Sequence, residues 1–467
     1  MPSVLFSFFL LGFRCEKGSK RKQILELGGQ PPDTGPKFTK VFQPGSSLFV
    51  NRFHDAFSLA RLHLPAAKSA CWASIFFSLS ILTLLFSLAA AQMFLAAAGI
   101  AYAVHLFRNH PRISFLPVKA PLALFIGWTI LSTFWAINPA AGGFAIRKLV
   151  LFVILLLAVN LIIGMKHLET LYLVLFLEAA IASVLAAVQF VMQYRAVRAE
   201  HPHHVYLMMT SSRITGFMGH WMNFGGQQML VFVVLLACLL LRPRTRAIWW
   251  FIAACVAVSI ILNFTRGVWA GCFAATLYLV ARWKPKLLWF VPVLVAVLAF
   301  ASPKMVRERM DSVLHPSNDT SIAMRFEMWN VGLKMIRKHP WVGVGPNNIN
   351  EEYVEYLPPG VMPAAGYHAH LHNDYIQFAA ERGLPCLAAY LWLMGALLWH
   401  FLKIRKQSTS GRWIVDGAVA AWLALVLEGC FEFNFGTSPV LMMFLFVAST
   451  PFIVAQAEGA ETEQQRR

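Results

Sequence analysis

The chain has 467 residues, 58% of them hydrophobic and 13% charged, with a mean hydropathy of +0.59. A soluble domain carries about 25% charged residues, so this composition excludes an ordinary soluble globular protein and points to an all-α polytopic membrane protein. The formal net charge of +18 would suit nucleic acid in a soluble chain, but the positive-inside rule gives Lys and Arg a simpler use here, and no nucleic-acid partner is expected.

The first 70 residues read as a basic, disordered arm. They hold "GSKRKQ" and "QPPDTGPK", and the leading "VLFSFFLLGF" is too short for a span and lacks the preceding basic residues of a signal peptide. From residue 71 to 302 apolar runs of membrane-crossing length follow one another. Cys71 to Phe107 is long enough for a hairpin of two spans turning near Ala90 to Gln92. Then come Pro121 to Ile137, Ile146 to Met165, Leu168 to Tyr194, Gln227 to Leu241, Ala247 to Thr265, Gly267 to Ala281 and Leu287 to Ser302. Residues 303–383 form a long polar segment, and spans resume over 384–455 as Leu384 to Leu402, Trp413 to Phe431 and Ser438 to Ala455, before a short tail at 456–467. The expected total is about twelve transmembrane helices, with the long segment between spans nine and ten.

Short basic loops fall on alternate connections: "RNHPR" at 108, "MKH" at 165, "RPRTR" at 242, "RWKPK" at 282 and "KIRK" at 403. That side is assigned to the cytoplasm together with both termini. The long segment, where eight Lys and Arg face nine Asp and Glu, then lies outside, as does the shorter one from Arg195 to Gly226. Arginines on the outer side are unexpected under a charge rule. Arg213 lies in the shorter outer segment, and Arg147 and Arg266 sit at outer ends of spans, so they are candidates for holding an anion. Snorkelling or solvation would equally explain any one of them.

Within the long segment, Asp319 to Ser321 offer a helix cap, and Phe326, Trp329, Leu333 and Ile336 fall on one stripe of a short amphipathic helix suited to the membrane surface, ending at His339 and Pro340. "YHAHLHND" then places His368, His370 and His372 at alternate positions of an extended backbone, and Asn373 or Asp374 can cap a helix running to Gly383. His372, at the start of that helix, is a candidate general base towards a hydroxyl. Zinc is the rival explanation for a His-x-His pair, with "HPHH" at 201 to 204 as a further donor, but no outer loop offers an Asp-x-Asp pair and no metal or other cofactor is expected.

These residues carry a resemblance to the bacterial O-antigen ligase and O-antigen polymerase family over about Cys71 to Ala455. The family's His-Asn, nine residues, Gly signature is matched by His372, Asn373 and Gly383, and its Arg, Trp, His-Pro, Gly-x-Gly run by Arg325, Trp329, His339, Pro340, Gly343 and Gly345. "RITGFMGHWMNFGG" resembles its Arg-x-Thr-Gly element, which carries Arg213, and "FTRGVWAG" its Ser/Thr-Arg-Gly element, which carries Arg266. Cys386 departs from the Gly, Thr or Tyr that ligases often have three residues after the signature glycine. The resemblance implies an inverting glycosyltransferase of the bacterial inner membrane with a periplasmic site, working without metal. It would move an O-antigen glycan from undecaprenyl diphosphate to a hydroxyl of the lipid A core oligosaccharide. His372 would be the base and Arg213 and Arg266 the diphosphate ligands, with Asn373, His370, His368, Arg147, Glu428 and Glu432 as further substrate-binding candidates; Glu428 and Glu432 could orient His372 or a sugar, or form buried salt bridges. A polymerase of the same family is the alternative within it. A transporter of lipid-linked glycan or anions is the alternative of another class, and it would place titratable groups near the bilayer midplane instead of on an outer segment.

Overall fold

The computed structural model describes residues 67–242, 245–314, 320–361 and 370–466. Most of the basic arm, the expected cap at Asp319 and His368 lie outside the described residues. Every regular element among those described is helical, as an apolar chain requires when it must satisfy its backbone within each segment.

In chain order the helices are α1 (Lys68–Thr83), α2 (Leu88–Asn109), α3 (Lys119–Phe134), α4 (Pro139–Leu149), a single 3₁₀ turn (Val150–Phe152), α5 (Val153–Leu161), α6 (Gly164–Glu200) and α7 (Val205–Ser211). They continue as α8 (Trp221–Leu241), α9 (Ala247–Leu262), α10 (Arg266–Trp283), α11 (Val291–Ala301), α12 (Lys304–Leu314), α13 (Thr320–Lys338) and α14 (Ile349–Glu352). Last come α15 (Asp374–Arg382), α16 (Leu384–Gln407), α17 (Arg412–Glu428) and α18 (Ser438–Arg466).

Six helical stretches among the described residues are long and apolar enough to cross a membrane: Leu88–Asn109, Pro139–Leu161, Gly164–Glu200, Trp221–Leu241, Leu384–Gln407 and Ser438–Gln464. Three shorter apolar helices, Lys68–Thr83, Lys119–Phe134 and Ala247–Leu262, accompany them. The chain is thus a polytopic helical membrane protein. The opening hairpin is present, but it turns at residues 84–87, earlier than expected, because the Ser87 hydroxyl caps α2 by accepting the Ala90 N–H. The last helix runs without a break into the segment read as a tail, through "AEGAETEQQR", whose Ala, Glu and Gln are good helix formers. At about 1.5 Å per residue, α6 with its 37 residues is about 55 Å long, well over a hydrocarbon layer of about 30 Å.

Helix α17 is the axis of the bundle. It packs on α8, α10, α16 and α18, and small residues allow the close approach: a Cβ on Gly271 of α10 would press on the Ala424 carbonyl, and one on Gly417 would meet Val234 and Ala237 of α8. Outside this bundle a second, smaller core forms in the long segment from Met328, Val331, Met335, Val344, Ile349, Tyr353, Tyr356 and Leu371. Helix α13 therefore docks through its methionine face. The stripe expected from sequence is its other side: Phe326 and Leu333 are exposed, Trp329 is partly buried, and only Ile336 packs at the margin of the core.

The "HPWVGVGPNN" turn is the clamp between this small core and the bundle. Val344 and Gly345 donate to the carbonyls of Ala380 and Glu381, Leu384 donates to the Pro340 carbonyl, and Trp128 Nε1 of α3 donates to the Arg382 carbonyl at 3.0 Å. Gly383 has φ +81, and a Cβ there would collide with the Trp341 carbonyl. The signature glycine is needed for that close backbone approach as well as for its left-handed geometry.

Candidate active site

Residues 370–374 cross the top of the bundle and enter α15. Asn373 is the N-cap: its Oδ1 accepts from the N–H groups of Tyr375 and Ile376 at 3.0 and 2.9 Å, and its Nδ2 donates to the Cys430 carbonyl at 2.9 Å. This resolves the two capping possibilities, since Asp374 is instead fully buried and its N–H donates to the Gly429 carbonyl at 2.8 Å. Burial raises the Asp374 carboxyl well above the usual range. The start of α15 is thereby stapled to the turn that follows α17. Leu371 N–H is held by Gln377 Oε1 at 2.7 Å, which leaves His372 between two fixed neighbours with φ +46, a left-handed conformation uncommon for a residue with a side chain.

The His372 ring points at the turn after α17. Its Nδ1 lies 2.7 Å from Glu432 Oε2, and the other carboxylate oxygen, Oε1, pairs with Arg325 of α13. Glu432 is 1% exposed. Burial pushes its carboxyl up, but Arg325, His372 and Arg213 outweigh that and bring it down to about 2, so it is ionised at neutral pH. A carboxylate can only accept, so Nδ1 of His372 carries a proton towards Glu432, and in the neutral ring Nε2 would hold the free lone pair. That is the histidine–carboxylate arrangement in which a neutral imidazole is oriented and its protonated form stabilised.

His370 lies next to it, with ring centroids 4.5 Å apart, and also flanks Phe433 at 6.2 Å. Burial and the neighbouring His372 hold its pKa down at about 3, so it is a neutral ring at physiological pH. Glu428 is fully buried and bonded to Asn434 Nδ2. It sits against the first turn of α10, where a Cβ on Gly267 would be in contact with Glu428 and Glu432.

Arginines converge on the same place from four elements. Arg213, in the loop after α7, donates from Nε to the Thr210 carbonyl at 2.8 Å and lies over the Trp221 ring at 3.9 Å. Arg266 is the first residue of α10 and reaches Ser321 Oγ of α13 at 2.8 Å. Arg309 of α12 is buried and donates to the Phe264 carbonyl at 3.1 Å, and Arg325 pairs with Glu432. The charges of Arg309, Arg325 and Arg266 all act on Arg213, whose pKa burial and these like charges lower to about 9; it stays protonated at neutral pH. Four guanidiniums and one ionised carboxylate leave a strongly positive cluster beside the His372 imidazole, an arrangement suited to an anion next to a site of proton abstraction.

The structure thus brings His372, Asn373, His370, Arg213, Arg266, Glu428 and Glu432 to one region. Arg147 is exposed, and its neighbour Lys148 turns inward, donating to the Gly436 carbonyl at 2.7 Å and lining a cavity with Phe378, Glu381, Arg382, Phe433 and Phe435. Sequence reasoning had no role for Arg309 or His220, and none in the site for Arg325, although Arg325 was among the residues that carry the family resemblance. Among the described residues no group of three His, Cys, Asp or Glu side chains is arranged to hold a metal ion.

No curated protein matches the chain. Residues 251–391 match the family described as O-antigen ligase, a stretch that contains Arg266, Arg309, Arg325, His370, His372 and Asn373, while Arg213 and Glu432 lie outside it. Over that stretch, under a third of its length, the chain is similar to the O-antigen ligase family.

Proposed function

We propose that the protein is an O-antigen ligase: an inverting transferase that takes a glycan from undecaprenyl diphosphate and places it on a hydroxyl of the lipid A core oligosaccharide. In this reading the chain crosses the bacterial inner membrane about twelve times, with the site on the periplasmic face and without a metal. The observation that carries it is the position of the His372–Glu432–Arg325 chain within the arginine cluster. His372 Nε2 takes the proton of the acceptor hydroxyl as its oxygen attacks the anomeric carbon, and Glu432 stabilises the imidazolium that forms. The anomeric carbon–oxygen bond to phosphate breaks, and Arg213 and Arg266 hold the departing diphosphate as its charge develops. One displacement with one base inverts the anomeric centre. Asn373 fixes the approach of His372, and His370, neutral and beside Phe433, offers a ring edge to a sugar. The test is purified protein supplied with lipid A core and an undecaprenyl-diphosphate glycan. Glycan attached to the core supports ligation, whereas lengthened undecaprenyl-linked glycan would make the protein a polymerase.

A further inference from the structure

His220 opens α8 at the end of the loop that holds Arg213. Its backbone is extended, and its ring caps the helix by accepting the Met222 N–H on Nδ1 at 3.2 Å. An imidazole accepting through Nδ1 is neutral and keeps its proton on Nε2, which is then turned away from its own helix. The ring is exposed and tilts against Trp221 with centroids 5.0 Å apart, and Trp221 is the indole that Arg213 covers. The charged and titratable groups acting on it are Glu432, His372 and Arg213. Partial desolvation, with His372 and Arg213, lowers its pKa against the opposing pull of Glu432, which keeps the ring neutral at physiological pH. Capping alone does not call for an imidazole, since Asn, Asp and Ser cap better and are smaller.

We propose that His220 is a catalytic residue of the glycosyl transfer, its Nε2–H donating a hydrogen bond to the leaving phosphate oxygen alongside the Arg213 guanidinium. The inference rests on the transferase reading above. In the step it serves, the acceptor oxygen bonds to the anomeric carbon, the anomeric bond to phosphate breaks, and its electron pair moves onto the diphosphate. The hydroxyl proton goes to His372. His220 keeps its own proton and acts only as a donor, strengthening its bond as the phosphate oxygen gains charge.

Helix capping and catalysis separate cleanly by substitution. His220→Asn and His220→Asp both preserve the cap, so full-length protein in detergent is expected to melt as wild type does. With a synthetic undecaprenyl-diphosphate oligosaccharide and lipid A core, kcat is expected to fall about ten- to a hundredfold for Asn, the range of a hydrogen bond to a charged group, with KM for the acceptor unchanged. Asp should fall further because its carboxylate repels the diphosphate. Wild-type kcat in both variants would overturn the proposal and leave His220 as a cap only, as would a loss of activity that merely tracks a lowered melting temperature. A wild-type protein that transfers no glycan would instead sink the transferase reading, and the proposal with it.

Discussion

Replacing Glu432 by Gln tests the core of the proposed mechanism, because this one carboxylate serves two partners. The folded protein holds its pKa at about 2 against an ordinary 4.5, so the ionised form is favoured by folding. The stability this contributes is full above about pH 4.5 and is lost as the pH falls through that value towards 2. The difference corresponds to about 3 kcal/mol, which agrees with the roughly 3–5 kcal/mol lost when one member of a buried ion pair is removed. Glu432→Gln should therefore unfold more easily than wild type by about 3 kcal/mol at pH 7. Near pH 3, where the wild-type advantage is draining away, the gap should narrow. Catalysis should suffer separately: an amide no longer enforces the Nδ1–H tautomer of His372, and loss of an effective general base costs about 10² to 10⁴-fold in kcat. Denaturant titration in detergent at the two pH values and a ligation assay on the folded fraction measure the two effects. If Glu432→Gln transfers glycan at the wild-type rate, His372 does not depend on this carboxylate and the dyad has no part in the chemistry.

His372→Asn is the sharper removal of the base, since Asn tolerates the left-handed backbone that Ala would strain; kcat should drop about 10² to 10⁴-fold at unchanged expression, while His370→Ala keeps most of its rate. Wild-type activity should be indifferent to EDTA followed by dialysis, and a loss restored by added metal would favour a zinc site instead. Arg213→Ala and Arg266→Ala should each lose about ten- to a hundredfold in turnover, with Lys recovering only part because it lacks the bidentate fork; folded, fully active Ala variants would place the diphosphate elsewhere. Gly383→Ala should give a poorly folded protein, read as lost expression and a lower melting temperature, because the new Cβ meets the Trp341 carbonyl and the backbone there has φ +81.

Local features of the site were legible in the sequence, and long-range ones were not. Asn373 before Asp374 is a capping signal confined to a few residues, so the start of α15 could be placed from the string alone. The hairpin of α1 and α2 follows from length, but its turn is set by the Ser87 cap, a single polar residue within an apolar run. The Glu432 carboxylate lies 60 residues from His372 and 107 from Arg325, and no periodicity connects positions on α13, α15 and the turn after α17. Arg147 and Lys148 show the limit at the finest scale. Neighbouring residues on a helix point about 100° apart, so charge near a span end marks a turn of the helix and leaves open which of the two side chains turns inward. On α13 the sequence pattern marks Phe326, Trp329, Leu333 and Ile336 as one stripe, whereas the face that holds the fold together carries Met328, Val331 and Met335.

The backbone itself ties the base to the anion site. Only four residues other than glycine have positive φ among those described, and two of them, Phe264 and His372, flank the charged cluster. Phe264, a bulky residue at φ +54, is a clear outlier, and it sits between Asn263, whose Nδ2 donates to the Ile214 and Trp221 carbonyls, and the helix start that presents Arg266. Its carbonyl is held by Arg309. The loop carrying Arg213 is thus tied to the start of the helix carrying Arg266 by one buried amide, and a buried guanidinium ties α12 to the same turn. His372 is fixed likewise by Gln377 and Asn373 on either side. Each such conformation costs on the order of 1–3 kcal/mol and persists only where its surroundings over-determine it. Around Phe264 the surroundings are the Arg213 loop, the start of α8 and α12; around His372 they are α15 and the turn after α17, whose Glu432 also holds Arg325 of α13. A base and an anion pocket on separate flexible loops would lose that fixed spacing, and with it the advantage of holding a hydroxyl and a diphosphate in line for displacement.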